Sequence, residues 1–272
     1  MTIRSGNGTD NSAGRISSLR NQRVKQVVML QQKSAERRST GLFVVEGCRE
    51  VQHCLEAGYE VESLYCCKEL MTERVSAGLE NVIIEVTPQV YEKMAYRGTT
   101  EGMLAVVRAR PLRLQDLNLS PSPLIVVLEG VEKPGNLGAV LRSADAAGAD
   151  AVVVCDPLTD LFNPNLIRAS LGAVFTVPTI AVGSEECIAF LKSKGIRILT
   201  AQLQDSSLYY DCDMTQATAI VMGTESTGLT DQWRQAADAH IRIPMCGRLD
   251  SLNVSVSAAI LLFEGVRQRM LL

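Results

Sequence analysis

Residues 124–131 (LIVVLEGV) are apolar at nearly every position rather than at every second one. A strand with one wet face alternates, whereas a strand apolar on both sides has to be covered on both, as in a parallel sheet with helices above and below. The run leads through a loop containing Lys133, Pro134, Gly135 and Asn136 into a helical pattern over about 137–147, then into a second apolar run, AVVVCD (151–156). That is a strand, a crossover helix and a strand. Two more junctions of the same kind lie downstream. IVMGTESTGL (220–229) leaves an apolar run for a loop of Gly, Thr and Ser, and IRIP (241–244) passes through a polar loop, 245–250, into an apolar helix opening Ser251-Leu252-Asn253. Open parallel sheets bind ligands beyond the carboxyl ends of their strands, so three such loops predict one shared site.

The remaining pattern fills in around that sheet. Further strands are expected near 174–182, 196–201, 218–223 and 239–244, with helices near 164–172, 184–194, 230–237 and 252–269. Upstream, LFVVEG (42–47), VESLYCC (61–67), NVIIEV (81–86) and GMLAVV (102–107) read as short strands, with helical patterns at 48–57, 68–77 and 88–96. The last of these starts cleanly, with Thr87 as N-cap and Pro88 at the first helical position. The segment 110–123 carries three prolines and no periodicity, which marks a linker. With 272 residues and 46% hydrophobic composition, two packed units are expected. The division is a flexible polar tail over 1–14, a small α/β domain over 15–109, the linker 110–123 and a larger α/β domain over 124–272.

Several function classes drop out. No apolar run approaches the ~18 residues that span a bilayer and the first fourteen residues have no apolar signal core, so a soluble cytoplasmic protein without a membrane partner is expected. Eight cysteines form no C-x-x-C and have only His53 and His240 for imidazole partners, which argues for reduced thiols and against a metal. Cys246 lies in the third loop, but no nearby histidine would activate it. The chain also lacks G-x-G-x-x-G and GK[ST]. Asp156, about twenty residues past Gly135, stands where a ribose-binding acid would, yet the glycine spacing fails the dinucleotide pattern.

The formal net charge of −3 hides an asymmetry: 16 Lys and Arg against 13 Asp and Glu over residues 1–115, and 11 against 17 over 116–272. Within 1–40 the count is eight to two, over what reads as a helix and its following loop. Such a stretch is either a contact for a polyanion or a solvated helix face, and charge alone does not choose. In the last helix Leu252, Val256, Ala259, Phe263, Val266 and Met270 recur at helical spacing, a stripe for the core or a subunit interface.

Taken together, the three loops resemble the SpoU (TrmH) family of S-adenosylmethionine-dependent RNA 2′-O-methyltransferases, in the SPOUT superfamily. Its first motif is similar to GVEKPGNLGAVLRSADAAGAD from Gly130, its second to IVMGTESTGL from Ile220, and its third to IRIPMCGRLDSLNVSVSAAILLFE from Ile241. The bridge NPNLIRASLGAVFTVP from Asn163 fits as well, and residues 15–108, closing on GTTEGMLAVV, resemble the L30e-like substrate-binding domain of the ribosomal-RNA branch. Lys133-Pro134-Gly135 departs from the usual residues before Asn136.

The resemblance implies a SPOUT-type parallel sheet whose C-terminal segment, roughly 221–272, forms a trefoil knot, and a homodimer packed through that knotted domain. It implies S-adenosylmethionine held at Gly223, Ile243 and Leu252, with Met222, Thr224, Gly228 and Met245 beside them. It implies catalytic roles for Arg142, supported by Asn136, Glu225, Ser251 and Asn253. RNA contacts fall to Arg15, Arg20, Arg23, Arg37, Arg38, Arg97 and Arg168. Ribosomal RNA, 23S above all, is favoured over transfer RNA. A catalytically silent RNA-binding assembly factor and a nucleotide-dependent oxidoreductase are the rival readings. The arginine pKa is too high for a general base, so Arg142 is expected to bind a phosphate or developing alkoxide charge, the proton leaving through water or phosphate.

Overall fold

A computed structural model describes residues 15–71, 78–96, 101–224 and 227–271. The described residues build two sheets. The first is assembled from α1 (Gln22–Gln32), α2 (Ser34–Thr40), β1 (Leu42–Glu46), α3 (Cys48–Glu56), β2 (Val61–Cys66), β3 (Ile83–Glu85), α4 (Pro88–Met94) and β4 (Met103–Arg108). Its strand order is β1-β4-β2-β3, with only the β2–β3 pair parallel. One face is covered by α1 and α4, where Val24, Val27 and Leu30 meet Tyr91 and Met94. As the sequence predicts, Thr87 caps α4 by accepting a hydrogen bond from Val90 N, with Pro88 in the first turn. The expected helix at 68–77 does not begin on schedule: residues 68–70 form a turn, and 72–77 lie outside the described residues.

The second sheet comprises β5 (Leu124–Glu129), α5 (Pro134–Ala146), β6 (Ala151–Cys155), α6 (Pro164–Ala169), α7 (Ala173–Thr176), β7 (Thr179–Val182), α8 (Ser184–Ser193), β8 (Arg197–Ala201), β9 (Ser207–Leu208), β10 (Thr218–Met222), α9 (Asp231–Ala236), β11 (Ala239–Arg242) and α10 (Val254–Arg269). Every pairing in the order β7-β6-β5-β10-β8-β11-β9 is parallel. The continuous apolar run of β5 is explained by that position: all six of its residues are buried, under α5 and α10 on one side and α8 and α9 on the other. The strand expected over 174–182 is shortened, because Leu171 and Gly172 both take positive φ and redirect the chain into α7 before Pro178.

Aromatic side chains join the two units. Phe43 of β1 stacks on Phe162 at 4.3 Å between centroids, Tyr59 meets Phe175 edge-on at 5.3 Å, and the Arg110 guanidinium lies 5.5 Å from the Tyr59 ring. The same joint corrects one expectation about RNA. Arg37 is 5% exposed, donates from Nε to Asp160 Oδ2 at 2.7 Å, and donates from Nη1 to the carbonyls of Leu30 and Gln31. It is a buried tie between α2 and the loop after β6, with its guanidinium engaged inside the protein. A helical pattern marks a cation in this segment but not which side it faces. Breaking a buried pair by removing one partner costs about 3–5 kcal/mol. Arg37→Ala should therefore lower the unfolding free energy obtained from urea denaturation by that much; an unchanged value would contradict the assignment.

The last helix separates the two alternatives left open for its apolar stripe, core or subunit interface, by the side it turns to the core. Its buried face is Val254, Ala258, Leu261, Leu262 and Gly265, with Gly265 fitted against Leu124. Of the stripe read from the sequence, Val266 packs against that core, whereas Val256 and Phe263 are each 47% exposed and Met270 81%. The helix is apolar on more than one side, and periodicity does not say which side the sheet takes. Arg269 does more than complement the helix dipole: it donates to the carbonyls of Ser122, Pro123, Met214 and Gln216, stapling the end of α10 to the entries of β5 and β10.

A candidate cofactor and RNA site at three strand ends

All strands of the second sheet are parallel, so the loops after β5, β10 and β11 emerge at one edge. The loop after β5 turns at Gly130, φ +65°, where an added Cβ would approach Thr224 Cγ2 to 3.2 Å. The loop after β10 closes on itself: Gly228 N donates to Thr224 O at 3.0 Å and Thr227 N to Thr224 Oγ1 at 3.0 Å. Gly223 is sealed inside that closure, since a Cβ there would sit 2.2 Å from the carbonyl carbon and oxygen of Gly228. Glu225 lies outside the described residues.

The third loop leads into α10, whose N-cap is Asn253, two residues later than the start read from the sequence. Its Oδ1 accepts from Ser255 N at 3.0 Å and Ser255 Oγ at 2.6 Å, while its Nδ2 donates to Asn136 Oδ1 at 3.2 Å. One asparagine thus caps a helix and links the third loop to the first turn of α5. Ser251 is exposed, and its Oγ donates to Asp250 Oδ1 at 3.4 Å, so it is not the cap.

Two cavities flank the start of α10. One of about 260 Å³ is lined by Gly130, Val131, Lys133, Asn136, Gly223, Thr224 and Val254. The other, of about 150 Å³, is lined by Ala201, Gln202, Leu203, Ile243, Met245, Asp250, Ser251 and Leu252. The expected residues are therefore brought together, but in two groups: Asn136, Gly223 and Thr224 on one side, Ile243, Met245, Ser251 and Leu252 on the other. Met222 is buried in the core, and Gly228 serves as the lid of the Gly223 turn. Arg142 lines neither cavity. It is exposed on α5 with no hydrogen bond or ion pair among the described residues, and it pairs with neither Glu129 nor Asp145, which accepts from Thr176 Oγ1.

Glu129, the last residue of β5, is what sequence reasoning missed. It is 5% exposed and faces away from the cavities; its Oε2 accepts from Thr230 N at 2.9 Å and its Oε1 from Thr230 Oγ1 at 2.7 Å, with Ser184 Oγ 3.4 Å from that oxygen. Ser184 Oγ in turn donates to Asp156 Oδ2 at 2.6 Å and accepts from the fully buried Trp233 Nε1 at 3.0 Å. This network fixes the exit of the second loop to the end of β5, and it employs Asp156 at the start of α8 rather than on a ribose. A single carboxylate ending an otherwise apolar strand is the signal that marks it.

Among the RNA candidates, Arg20, Arg23, Arg38 and Arg168 are exposed. Arg15 is held by Glu69, with Glu85 3.8 Å away, and Arg97 lies outside the described residues. Six of the eight cysteines are buried, none is disulfide-bonded, and burial pushes the thiols of Cys54 and Cys66 up to about 12 and 11. Among the described residues no cluster of metal-ligating groups occurs, and no helix is long and apolar enough to cross a membrane.

Comparison with known proteins agrees with this geometry. Residues 123–263 match the SpoU rRNA Methylase family and residues 21–105 the MRM3-like substrate binding domain. The 23S rRNA (guanosine(2553)-2′-O)-methyltransferase RlmP of Bacillus subtilis is 30% identical over 251 residues, 92% of this chain and 98% of its own. The 23S rRNA (guanosine-2′-O-)-methyltransferase RlmB of Vibrio vulnificus is 36% identical over 68% of this chain and 78% of its own. Among solved structures, an RNA 2′-O ribose methyltransferase is 38% identical with a TM-score of 0.79, covering 94% of this chain and 100% of that one. An AdoMet-bound rRNA methyltransferase from Sinorhizobium meliloti is 28% identical with a TM-score of 0.84, over 93% and 97%. With three loops converging on the Asn136–Asn253 bridge and more than half its length matched, the chain belongs to the SpoU rRNA methylase family.

Proposed function

We propose that this protein transfers a methyl group from S-adenosylmethionine to a ribose 2′-hydroxyl of 23S ribosomal RNA. The observation that carries the reading is the convergence of Asn136, Gly223, Thr224, Ile243, Leu252 and Asn253 at one sheet edge. These residues fit the cofactor: Gly223 and Thr224 wall one cavity beside Asn136, and Ile243, Met245 and Leu252 offer an apolar slot across the start of α10. Bound there, S-adenosylmethionine supplies an electrophilic methyl on a sulfonium.

The chain itself supplies alignment and charge. Asn136 and Asn253 hold the first and third loops in register, so the ribose oxygen meets a fixed geometry. Arg142 presents a permanent cation to RNA lying across α5, where it binds phosphate or the charge that develops as the hydroxyl loses its proton to water or phosphate. Ser251 and Glu225 belong to the same catalytic group, and Met222 and Gly228 complete the cofactor loop. The binding test is thermal: S-adenosylhomocysteine should raise the melting temperature and NAD should not. A shift with NAD alone would move the chain to the oxidoreductases.

Further parts of the reading follow the family. The chain divides at 110–123 into an RNA-binding unit over 15–109 and a knotted catalytic unit over 124–272, preceded by a tail, and it works in the cytoplasm. A homodimer forms through α10, where Val256, Phe263 and Met270 lay apolar surface open to solvent. Phe263→Asp should then convert a dimer to a monomer in light scattering without loss of helicity. A wild type that is monomeric at micromolar concentration would contradict the interface.

A further inference from the structure

Between the first sheet and α6 lies a third cavity, of about 210 Å³, apart from the site described above. Its volume, between those of the two cavities that flank the start of α10, suits a single ring system. Gln31 lines it. The residue is 8% exposed, and its Nε2 has no hydrogen-bond partner among the described residues. Leaving a buried donor unmet costs ~1–3 kcal/mol, so such a group asks for a ligand that meets it.

The other lining groups say what kind. Glu50 and Glu101 supply acceptors: Glu101 Oε2 takes Cys48 N at 2.7 Å and Glu50 Oε1 takes Arg49 Nη2 at 3.4 Å, which leaves each carboxylate with lone pairs to spare. A third carboxylate, Glu46, and the apolar Val44, Pro164, Ile167 and Leu171 line it as well, with exposed Arg49 and Arg168 and the ring of Tyr96, 39% exposed, at its edge. A simple anion would meet carboxylates inside, and a metal ion would meet an amide donor. An unstacked nucleobase satisfies all of them: its edge offers acceptors and donors, its face stacks on tyrosine, and its phosphates reach the arginines.

The position suits the same ligand. Arg168 sits on α6, and α6 packs on α5 so closely that a Cβ on Gly138 would lie 2.5 Å from Ala169 Cβ. The cavity is thus about one helix diameter, ~10 Å, from the helix that carries Asn136 and Arg142. We propose that this cavity receives one unpaired base of the substrate RNA, a few nucleotides from the ribose that is methylated. The proposal rests on the RNA-methyltransferase reading above.

Two variants of the full chain test it. Gln31→Met keeps side-chain length and removes the unmet amide, so the melting temperature should hold or rise. The KM for 23S ribosomal RNA should rise about tenfold, the equivalent of one hydrogen bond, with the KM for S-adenosylmethionine unchanged. Arg168→Gln alters only an exposed side chain and should lower the slope of log affinity against log salt by about one. Filter binding of the same RNA without cofactor is read in parallel, so the cavity is judged even if the wild type transfers no methyl group. RNA affinity within twofold of wild type in both variants would overturn the proposal and leave the cavity to bound water.

Discussion

Gly223→Ala should abolish cofactor binding while leaving the sheet intact. The added methyl would stand 2.2 Å from the Gly228 carbonyl, and the atoms it meets are backbone, which does not swing aside like the end of a long side chain. Relief requires the Thr224–Gly228 closure to open, and that closure shapes the wall of the cavity beside Asn136. The second loop is also pinned from behind by Glu129 on Thr230, so the strain is not dissipated toward α9. The measurement is the thermal shift with S-adenosylhomocysteine: wild type should shift, whereas the variant should not shift even at a hundred times the wild-type Kd, where about 2.7 kcal/mol of stabilisation is due. A normal shift would mean that the cofactor does not use this loop.

Arg142→Ala should lower kcat by about 10²–10³ with little change in stability, in line with the loss of one group that stabilises developing charge. Stability should hold because the side chain is exposed and makes no hydrogen bond or ion pair among the described residues. Arg142→Lys separates two roles. A guanidinium gripping phosphate through two donors is not replaced by an ammonium, so lysine should recover little. Full activity in the lysine variant would reduce Arg142 to a point charge. Arg142 lines neither cavity of its own chain, so the proposed role places it against RNA lying across α5.

Much of this was legible in the residues. The continuous apolar run at 124–129 gave away a strand buried on both faces, and the three Gly-, Asn- and Ser-rich loops do leave one edge of a parallel sheet. What the pattern could not carry was direction. Arg37 belongs to the same basic stretch as Arg20, Arg23 and Arg38, yet it turns inward to Asp160, a partner 123 positions away. The last helix is apolar on several sides, and the contact of Gly265 with Leu124 decides which side is core. The Glu129 network also escaped, because Glu129, Asp156, Ser184 and the pair Thr230 and Trp233 come from β5, the end of β6, α8 and α9 and meet only in the folded chain. Long-range polar contacts leave no periodicity in a sequence.

The most direct test of the central claim is transfer itself. Purified protein is incubated with methyl-labelled S-adenosylmethionine and, separately, unmodified 23S ribosomal RNA and transfer RNA, and the labelled nucleotide is mapped by nuclease resistance of 2′-O-methyl ribose. The account predicts label at a single ribose of 23S RNA and none in transfer RNA. Label on a base, label confined to transfer RNA, or no label in the presence of tight cofactor binding would contradict it.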